Sequence, residues 1–243
     1  MHTLIVSILT ALVAGSAAAG EREIRQAVQA LAPEAKVVSV RPTPIAGLHE
    51  VVLDGPRGPT LVYASAKGDY LILGELLDVK NRRNLTGERM DDLTRIKFDS
   101  LPLGQAIKIV QGNGRRRLAV FSDPDCPYCR KVEQELVKLK DVTIYMFPYP
   151  LPMHPDAARK SRLVWCSRDR AAAWRDMMLN NKLPEGVNPD CDHPVDKNLA
   201  LGARLRVEGT PALFFADGRR LPGYAEAARI EQMLAAAEGQ RGK

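Results

Sequence analysis

After its first twenty residues the chain has no apolar run of eighteen residues, no internal repeat and no low-complexity tract. The first absence excludes a later membrane-spanning helix, and the others exclude a repeat architecture. Cysteine is scarce: there are four in 243 residues, and a single C-x2-C pair. Lys, Arg, Asp and Glu are missing altogether from the first twenty residues, so the rest of the chain carries the whole formal charge of +6. That excess comes with no nucleic-acid-binding motif. Arg115-Arg116-Arg117 and Arg219-Arg220 sit beside Gly-containing turn signals, where solvated charge is the ordinary expectation, and no nucleic acid is expected as a partner. With 45% hydrophobic and 26% charged residues, the remainder has the composition of a soluble globular protein.

What the N-terminus does contain is an apolar stretch of ten residues, Leu4 to Val13, too short to span a bilayer. Small residues follow, and Ala17-Ala18-Ala19 has the A-x-A form of a signal-peptidase site, so residues 1–19 read as a signal peptide with cleavage near Ala19. The weak feature is an n-region with His2 but no Lys or Arg. A buried N-terminal helix is the competing reading, but the segment has no polar face to meet water. Export changes what cysteines are for: outside the cytosol, four of them suggest disulfides before metal.

Residues 20–83 predict a small α+β domain. Ile24, Val28 and Leu31 fall on one face of a helix over Glu21 to Ala32, and β-rich runs follow at 37–40, 48–54, 60–65, 70–73 and 76–79. So short a sheet leaves edges to cover, by a partner subunit or by the domain itself. Residues 84–100 read as a linker helix, with Met90, Leu93 and Ile96 at helical spacing, or else as the first helix of the next domain. Residues 101–243 predict an α/β domain: strands at 106–110 and 117–123, a helix from the cysteines to about Lys140, and a strand at 142–147. Helices are expected near 156–166, 170–179 and 195–205, a polar loop over 183–194, a strand at 212–216, a short strand to Leu221 and a last helix over 225–237.

The chemistry concentrates in 121-FSDPDCPYCRK-131. Cys129, Val132, Leu136 and Leu139 form one helical stripe, while Lys131, Glu133, Glu135 and Lys138 fill the other faces. Cys126 then falls at the open N-terminal end, where unpaired N–H groups and the helix dipole favour a thiolate, and Pro127 suits the first turn. Asp123 and Asp125 oppose that shift. A thiolate at Cys126 can attack a disulfide, and Cys129 at i+3 can resolve the mixed disulfide. A zinc site would need two further ligands, from Cys166, Cys191 or His193, but the 36 and 24 intervening residues match no standard pattern, and no metal is expected. A purely structural Cys126–Cys129 bridge would constrain too little chain.

Cys166 follows Trp165 at a helix end, and Cys191 lies in the polar loop. A bridge pinning loop to helix would add about 3–4 kcal/mol by chain entropy. A second redox pair is the alternative, without the helix-start geometry. Tyr128 lies between the active cysteines and is expected to be exposed, tuning their reactivity or contacting substrate. Thr210-Pro211 precedes a strand. His49, His154 and His193 read as loop or surface histidines, and Asp123 as a proton relay to Cys129 or a turn former. No cofactor is called for.

Strand 117-RLAVFSD-123, the Cys-Pro-Tyr-Cys helix start and the distant Gly-Thr-Pro resemble the thioredoxin fold. With the N-terminal module including 46-AGLHEV-51, the linker and the second cysteine pair, nearly the whole mature chain resembles the DsbC/DsbG family of periplasmic disulfide isomerases. The resemblance implies a thioredoxin-like catalytic domain with a helical insertion. It implies an N-terminal module that makes a V-shaped homodimer with an apolar cleft for misfolded exported proteins, a chaperone-like surface. Cys126 would attack and Cys129 resolve, Cys166–Cys191 would be a structural disulfide, and Pro211 would be cis beside Cys126, with Thr210 and Pro211 meeting substrate. A membrane-bound reductase of the DsbD type would keep the pair reduced. Pro127 departs from the Cys-Gly-Tyr-Cys often described for DsbC, which keeps two alternatives in view: a DsbG-like reductase protecting oxidised single cysteines, or mainly a chaperone.

Overall fold

The computed structural model describes residues 11–56 and 58–239, with residues 11–19 described by backbone alone. The start of the apolar segment expected at Leu4 to Val13 lies outside the described residues. The chain forms two compact units that divide between Leu93 and Thr94.

In the first unit, helix α1 spans Ala11–Leu31. Its described part already covers the ten residues before the helix expected at Glu21, running through Ala17-Ala18-Ala19, because alanine is the strongest helix former. Strands β1 (Lys36–Pro42), β2 (Leu48–Gly55), β3 (Gly58–Ser65) and β4 (Leu71–Ile72) form an antiparallel sheet in that order. Ile24 and Val28 bury one face of α1 on Val37, Val51, Leu53, Val62 and Ala64. Leu31, expected on the same face, is exposed, since it ends the helix where the chain turns toward β1.

A ribbon of β5 (Leu77–Asp78) and β6 (Arg83–Asn84) leads into α2 (Leu85–Leu93). β6 carries no apolar alternation and gave no strand signal. Thr86 Oγ1 fixes the start of α2 by accepting the Leu76 amide at 2.8 Å and bonding the Tyr63 hydroxyl. The helix stops at Leu93, short of the expected 84–100 span. In the second unit, the Ile96 amide instead donates to the carbonyl of Gly218 at 3.0 Å. A tight turn over Phe98–Ser100 then buries Phe98. Gly218 has φ +87°, and a Cβ there would lie 2.0 Å from Ile96 O, so this contact needs glycine.

The second unit is a five-stranded sheet of β7 (Ile107–Gln111), β8 (Arg116–Ser122), β9 (Val142–Pro148), β10 (Ala212–Phe215) and β11 (Arg220–Pro222), in the order β11-β10-β8-β9-β7. β8 and β9 are parallel, joined by α3 (Pro127–Leu136); the other pairs are antiparallel. Helices α4 (Ala157–Cys166), α5 (Arg170–Asn180) and α6 (Val195–Arg204) come between β9 and β10, and α7 (Ala227–Gly239) ends the unit. Side chains alternate across the central strands, so the sheet is buried on both faces. Leu118, Val120, Ile144, Met146, Leu213 and Phe215 pack with α3, α5 and α7 through Val132, Leu136, Trp174, Ile230 and Leu234. Ala119, Phe121, Phe147 and Phe214 pack on the other face with Phe98, Tyr149 and Leu201 of α6. Each fully buried large side chain of this kind contributes about 1.5–3 kcal/mol relative to exposure.

The cysteine helix, expected to reach about Lys140, ends at Leu136, with Leu139 still buried in the following turn. The basic triplet is tied into ion pairs: Arg115 with Glu238, Arg116 with Glu231 and Arg117 with Asp99.

Candidate active site

β8 delivers the chain to the edge of the core at Ser122, and the turn Asp123–Asp125 reverses it into α3. Cys126 is the residue before the first helical turn, in extended conformation (φ −74°, ψ 121°), with Pro127 just inside the helix. No side-chain oxygen caps this helix start. The sulfur of Cys126 therefore occupies the position where an N-cap acceptor normally meets the free amides. Cys126 and Cys129 are free thiols, and Cys129 is fully buried on the stripe with Val132 and Leu136.

Asp123 holds both cysteines by its backbone. Its amide donates to Cys129 Sγ at 3.4 Å, and its carbonyl accepts the Cys126 amide at 3.2 Å. A second segment arrives from far along the chain. β10 pairs with β8 so that Ala212 faces Phe121, which sets the preceding Thr210-Pro211 peptide, in cis, beside Cys126. Cys126 Sγ lies 3.4 Å from Thr210 O, and Pro211 O accepts the Gly223 amide at 2.7 Å. Tyr128 is exposed, with Lys131 Nζ 5.5 Å from its ring centre.

These surroundings pull the two thiols apart. Cys126 is brought down to about 5, first by the hydrogen bond from the Cys129 thiol, then by the amides of Cys129 and Tyr128 and the hydroxyl of Thr210, which together outweigh its desolvation. Thr210 Oγ1 is buried with no hydrogen-bond partner, so its proton can turn toward the sulfur. Cys129 is pushed strongly upward, chiefly by burial and also by its bond to Cys126. One sulfur is thus held as a thiolate and its neighbour as a thiol.

Two residues matter here whose contacts the sequence did not show. His154 lies in the loop before α4, as expected, but its Nδ1 is 2.9 Å from Asp123 Oδ2, and the Asp123 carboxylate is wholly buried. Glu133, assigned above to an outer face of the helix, is buried against α5 and accepts Trp174 Nε1–H at 3.2 Å. Burial raises its carboxyl to about 7. For Glu133 the cause is α5, which packs on a side of α3 that its own periodicity leaves polar. An acid three or four residues from a resolving cysteine was the one available signal for Glu133.

Cys166 and Cys191 are joined, with Cα atoms 5.8 Å apart, and tie the loop to the end of α4. Trp165 Nε1 donates to Asp192 O at 3.1 Å across the same junction, and Arg170 stacks on the Trp165 ring at 3.8 Å. His49 lies on β2 in the first unit, and His193 in the loop beside Cys191. Among the described residues, no group of three or more His, Cys, Asp or Glu is arranged to hold a metal ion.

The second unit is a thioredoxin-like domain, with a C-x2-C pair at a helix start facing a cis-proline; residues 103–238 match the model for a thioredoxin-like domain. Residues 15–87 match the disulfide bond isomerase protein N-terminal domain. The chain belongs to the DsbC family of thiol:disulfide interchange proteins. It is 40% identical over 198 residues to the probable thiol:disulfide interchange protein DsbC of Bordetella pertussis, covering 82% of this chain and 68% of that protein. It is 24% identical over 231 residues to the thiol:disulfide interchange protein DsbC of Escherichia coli, covering 93% and 92%. A solved disulfide interchange protein from Neisseria gonorrhoeae aligns with a TM-score of 0.54 at 45% identity, covering 56% of this chain and 98% of that one.

Proposed function

We propose that this protein is a protein disulfide isomerase of the periplasm, with Cys126 as the attacking thiol and Cys129 as its resolver. The observation that carries the reading is the opposite pull on two thiols one helical turn apart, beside Thr210-Pro211. The Cys126 thiolate attacks one sulfur of a wrong substrate disulfide. A Cys126–substrate bond forms, the substrate S–S bond breaks, and the other substrate sulfur leaves as a thiolate. A substrate thiolate then attacks the substrate sulfur of the mixed disulfide, forms a new substrate bond and returns the Cys126 thiolate, with no net transfer of electrons. When the substrate stalls, Cys129 loses its proton and attacks Cys126 Sγ, releasing substrate as a thiol and leaving a Cys126–Cys129 disulfide. The substrate has then gained two electrons, and a DsbD-type membrane reductase is the proposed partner that restores the pair. Tyr128, Thr210 and the Pro211 backbone are the proposed contacts for the substrate chain.

Export with cleavage near Ala19 belongs to this reading. Among the described residues no helix is long and apolar enough to cross a membrane. So does a homodimer formed through the first unit, with misfolded exported proteins held at apolar surface in a chaperone-like manner. Its support is the apolar surface around the short edge strand β4, where Tyr70, Ile72 and Leu73 are exposed in the single chain.

The test is refolding of a scrambled-disulfide protein with wild type, Cys126→Ala and Cys129→Ala. Cys126→Ala is expected to lose reshuffling, and Cys129→Ala to keep part of it while accumulating mixed disulfide. Full reshuffling by Cys126→Ala would sink the isomerase reading. Lost reshuffling with undiminished suppression of aggregation would leave the chaperone-like binding as a separate activity.

A further inference from the structure

The Asp123 side chain has no exposure, yet it sits in the turn between β8 and α3 that grips both cysteines. Its Oδ1 accepts the Asp125 amide at 2.7 Å, and its Oδ2 accepts the Leu151 amide at 2.6 Å and His154 Nδ1 at 2.9 Å. The first bond closes the turn, and the other two tie it to the segment before α4. Dipoles from two amides do not cancel a full charge out of water, and the group that answers it is the imidazole of His154.

The other charges nearby are engaged with one another. On α4, Lys160 pairs with Asp125 of the turn and also lies 3.5 Å from Asp156, which is itself held by Arg159. The His154 side chain is 22% exposed, so it exchanges protons with water where Asp123 cannot. Its backbone is fixed at both ends, the amide donating to Leu151 O and the carbonyl accepting the Ala157 amide.

We propose that His154 is a positioning residue that acts through Asp123 on the cysteine pair, so that a proton on His154 and a thiolate on Cys126 favour each other. With His154 neutral, Asp123 leaves an unanswered negative charge in the turn that leads to Cys126, whose sulfur must itself become negative, and the two repel. With His154 protonated the pair is neutral and the thiolate meets no net opposition. Linkage makes the effect reciprocal: the thiolate draws a proton onto His154, and losing the thiolate to a disulfide releases that hold. The upward shift of His154, caused first by its hydrogen bond to Asp123 and in smaller part by the charges of Asp123, Cys126 and Asp125, runs in this direction. Oxidation of the pair would then be coupled to a change of charge at a solvent-facing imidazole.

The inference rests on the reading of Cys126 as the reactive thiolate, and its test keeps the two apart. His154 is titrated by proton NMR in the wild-type protein, once with the pair reduced and once oxidised, its resonance assigned by comparison with His154→Gln. The midpoint is expected to lie higher in the reduced protein by about half a pH unit or more, and the difference to vanish in Cys126→Ser. In His154→Gln, alkylation of Cys126 near pH 5 is expected to slow by about threefold or more, with the thiolate absorbance midpoint displaced upward. A purely structural histidine would show the same midpoint in both redox states, and that result overturns the proposal, as does an unmoved Cys126 midpoint in folded His154→Gln. Coupled titration in a protein whose Cys126→Ala variant still reshuffles disulfides would instead remove the isomerase reading and leave the linkage standing.

Discussion

Cys126 Sγ and the carbonyl oxygen of Thr210 lie 3.4 Å apart across 84 residues of sequence. The contact comes from one strand pairing: β10 lies antiparallel to β8 with Ala212 opposite Phe121, so the residues just before β10 meet those just after β8. The nucleophile and the peptide proposed to face it are therefore placed by the centre of the sheet, where Phe121 and Phe214 are fully buried. A substrate chain approaching Cys126 meets a rigid backbone edge, and that suits exchange with unrelated disulfides better than a pocket shaped to one side chain.

The split between the two thiols predicts the pH dependence of modification. Cys126, held at about 5, should react with a small alkylating agent at a rate that falls about tenfold per pH unit below that midpoint and levels above it, while Cys129 stays inert in the folded protein. The sign for stability follows from the same shift. A thiol lowered in the folded state contributes stability that is full above its unfolded value, about 8.5, and is lost as pH falls through about 5. Cys126→Ser should flatten that part of the profile of the reduced protein, read from denaturant midpoints between these pH values. Equal alkylation of the two cysteines at neutral pH would contradict the assignment.

The local half of this site was legible in the sequence and the non-local half was not. Cys126, Pro127 and Cys129 are read from the geometry of a helix start, which needs only neighbours three residues apart. The partners that set their surroundings come from elsewhere: Thr210 from the turn before β10, His154 from the segment before α4, and Trp174 from α5 onto Glu133. Helical periodicity assigns Glu133 to solvent because it describes one helix, whereas burial is decided by what packs against it. The same limit explains α2. Its apolar spacing through Ile96 is helical, but the Ile96 amide finds a carbonyl at Gly218, and the helix ends at Leu93.

The Cys166–Cys191 bridge closes a separation of 25 residues, and replacing both cysteines by alanine should cost about 3–4 kcal/mol by chain entropy. Trp165 and Asp192 keep their contact only while the loop stays docked, so fluorescence of the tryptophans should report loosening before global unfolding. Alkylation of Cys126 should be nearly unchanged, because the bridge shares no hydrogen bond with the active pair. A large loss of Cys126 reactivity in the folded double variant would show that the loop supports the site itself.

Oligomerisation gives a separate prediction in the first unit. Leu73 follows β4 at the sheet edge and is 81% exposed, and Ile72 and Tyr70 flank it. Leu73→Glu puts a charge where a partner strand would bury apolar surface. Sedimentation should show a concentration-dependent dimer for wild type and a shift toward monomer, by about tenfold or more in dissociation constant, for the variant. Circular dichroism should be unchanged, since Leu73 supports nothing within the single chain's core. A monomeric wild type at all concentrations would remove the homodimer from the proposed function.

Glu133 supplies the sharpest test of packing around the active helix. It is 3% exposed, its Oε2 accepts Trp174 Nε1–H, and burial holds its carboxyl near 7 rather than the usual 4.5. A carboxyl raised in the folded state favours folding fully below its unfolded value, and that advantage is lost as pH rises through about 7. The protein should therefore lose about 1–3 kcal/mol from this group between about pH 4.5 and pH 8. Glu133→Gln keeps an acceptor for the tryptophan and cannot ionise, so it should be more stable than wild type at pH 8, with little difference at pH 5. Glu133→Leu removes the acceptor and leaves the buried indole N–H unpaired, which costs about 1–3 kcal/mol at either pH. Urea midpoints of the three proteins at both pH values separate the two effects: ionisation is a pH-dependent gap closed by glutamine, and the lost hydrogen bond is a pH-independent one. Parallel profiles for wild type and Glu133→Gln would mean that the carboxyl does not titrate in this range, and that α5 packs over it less tightly than the structure shows.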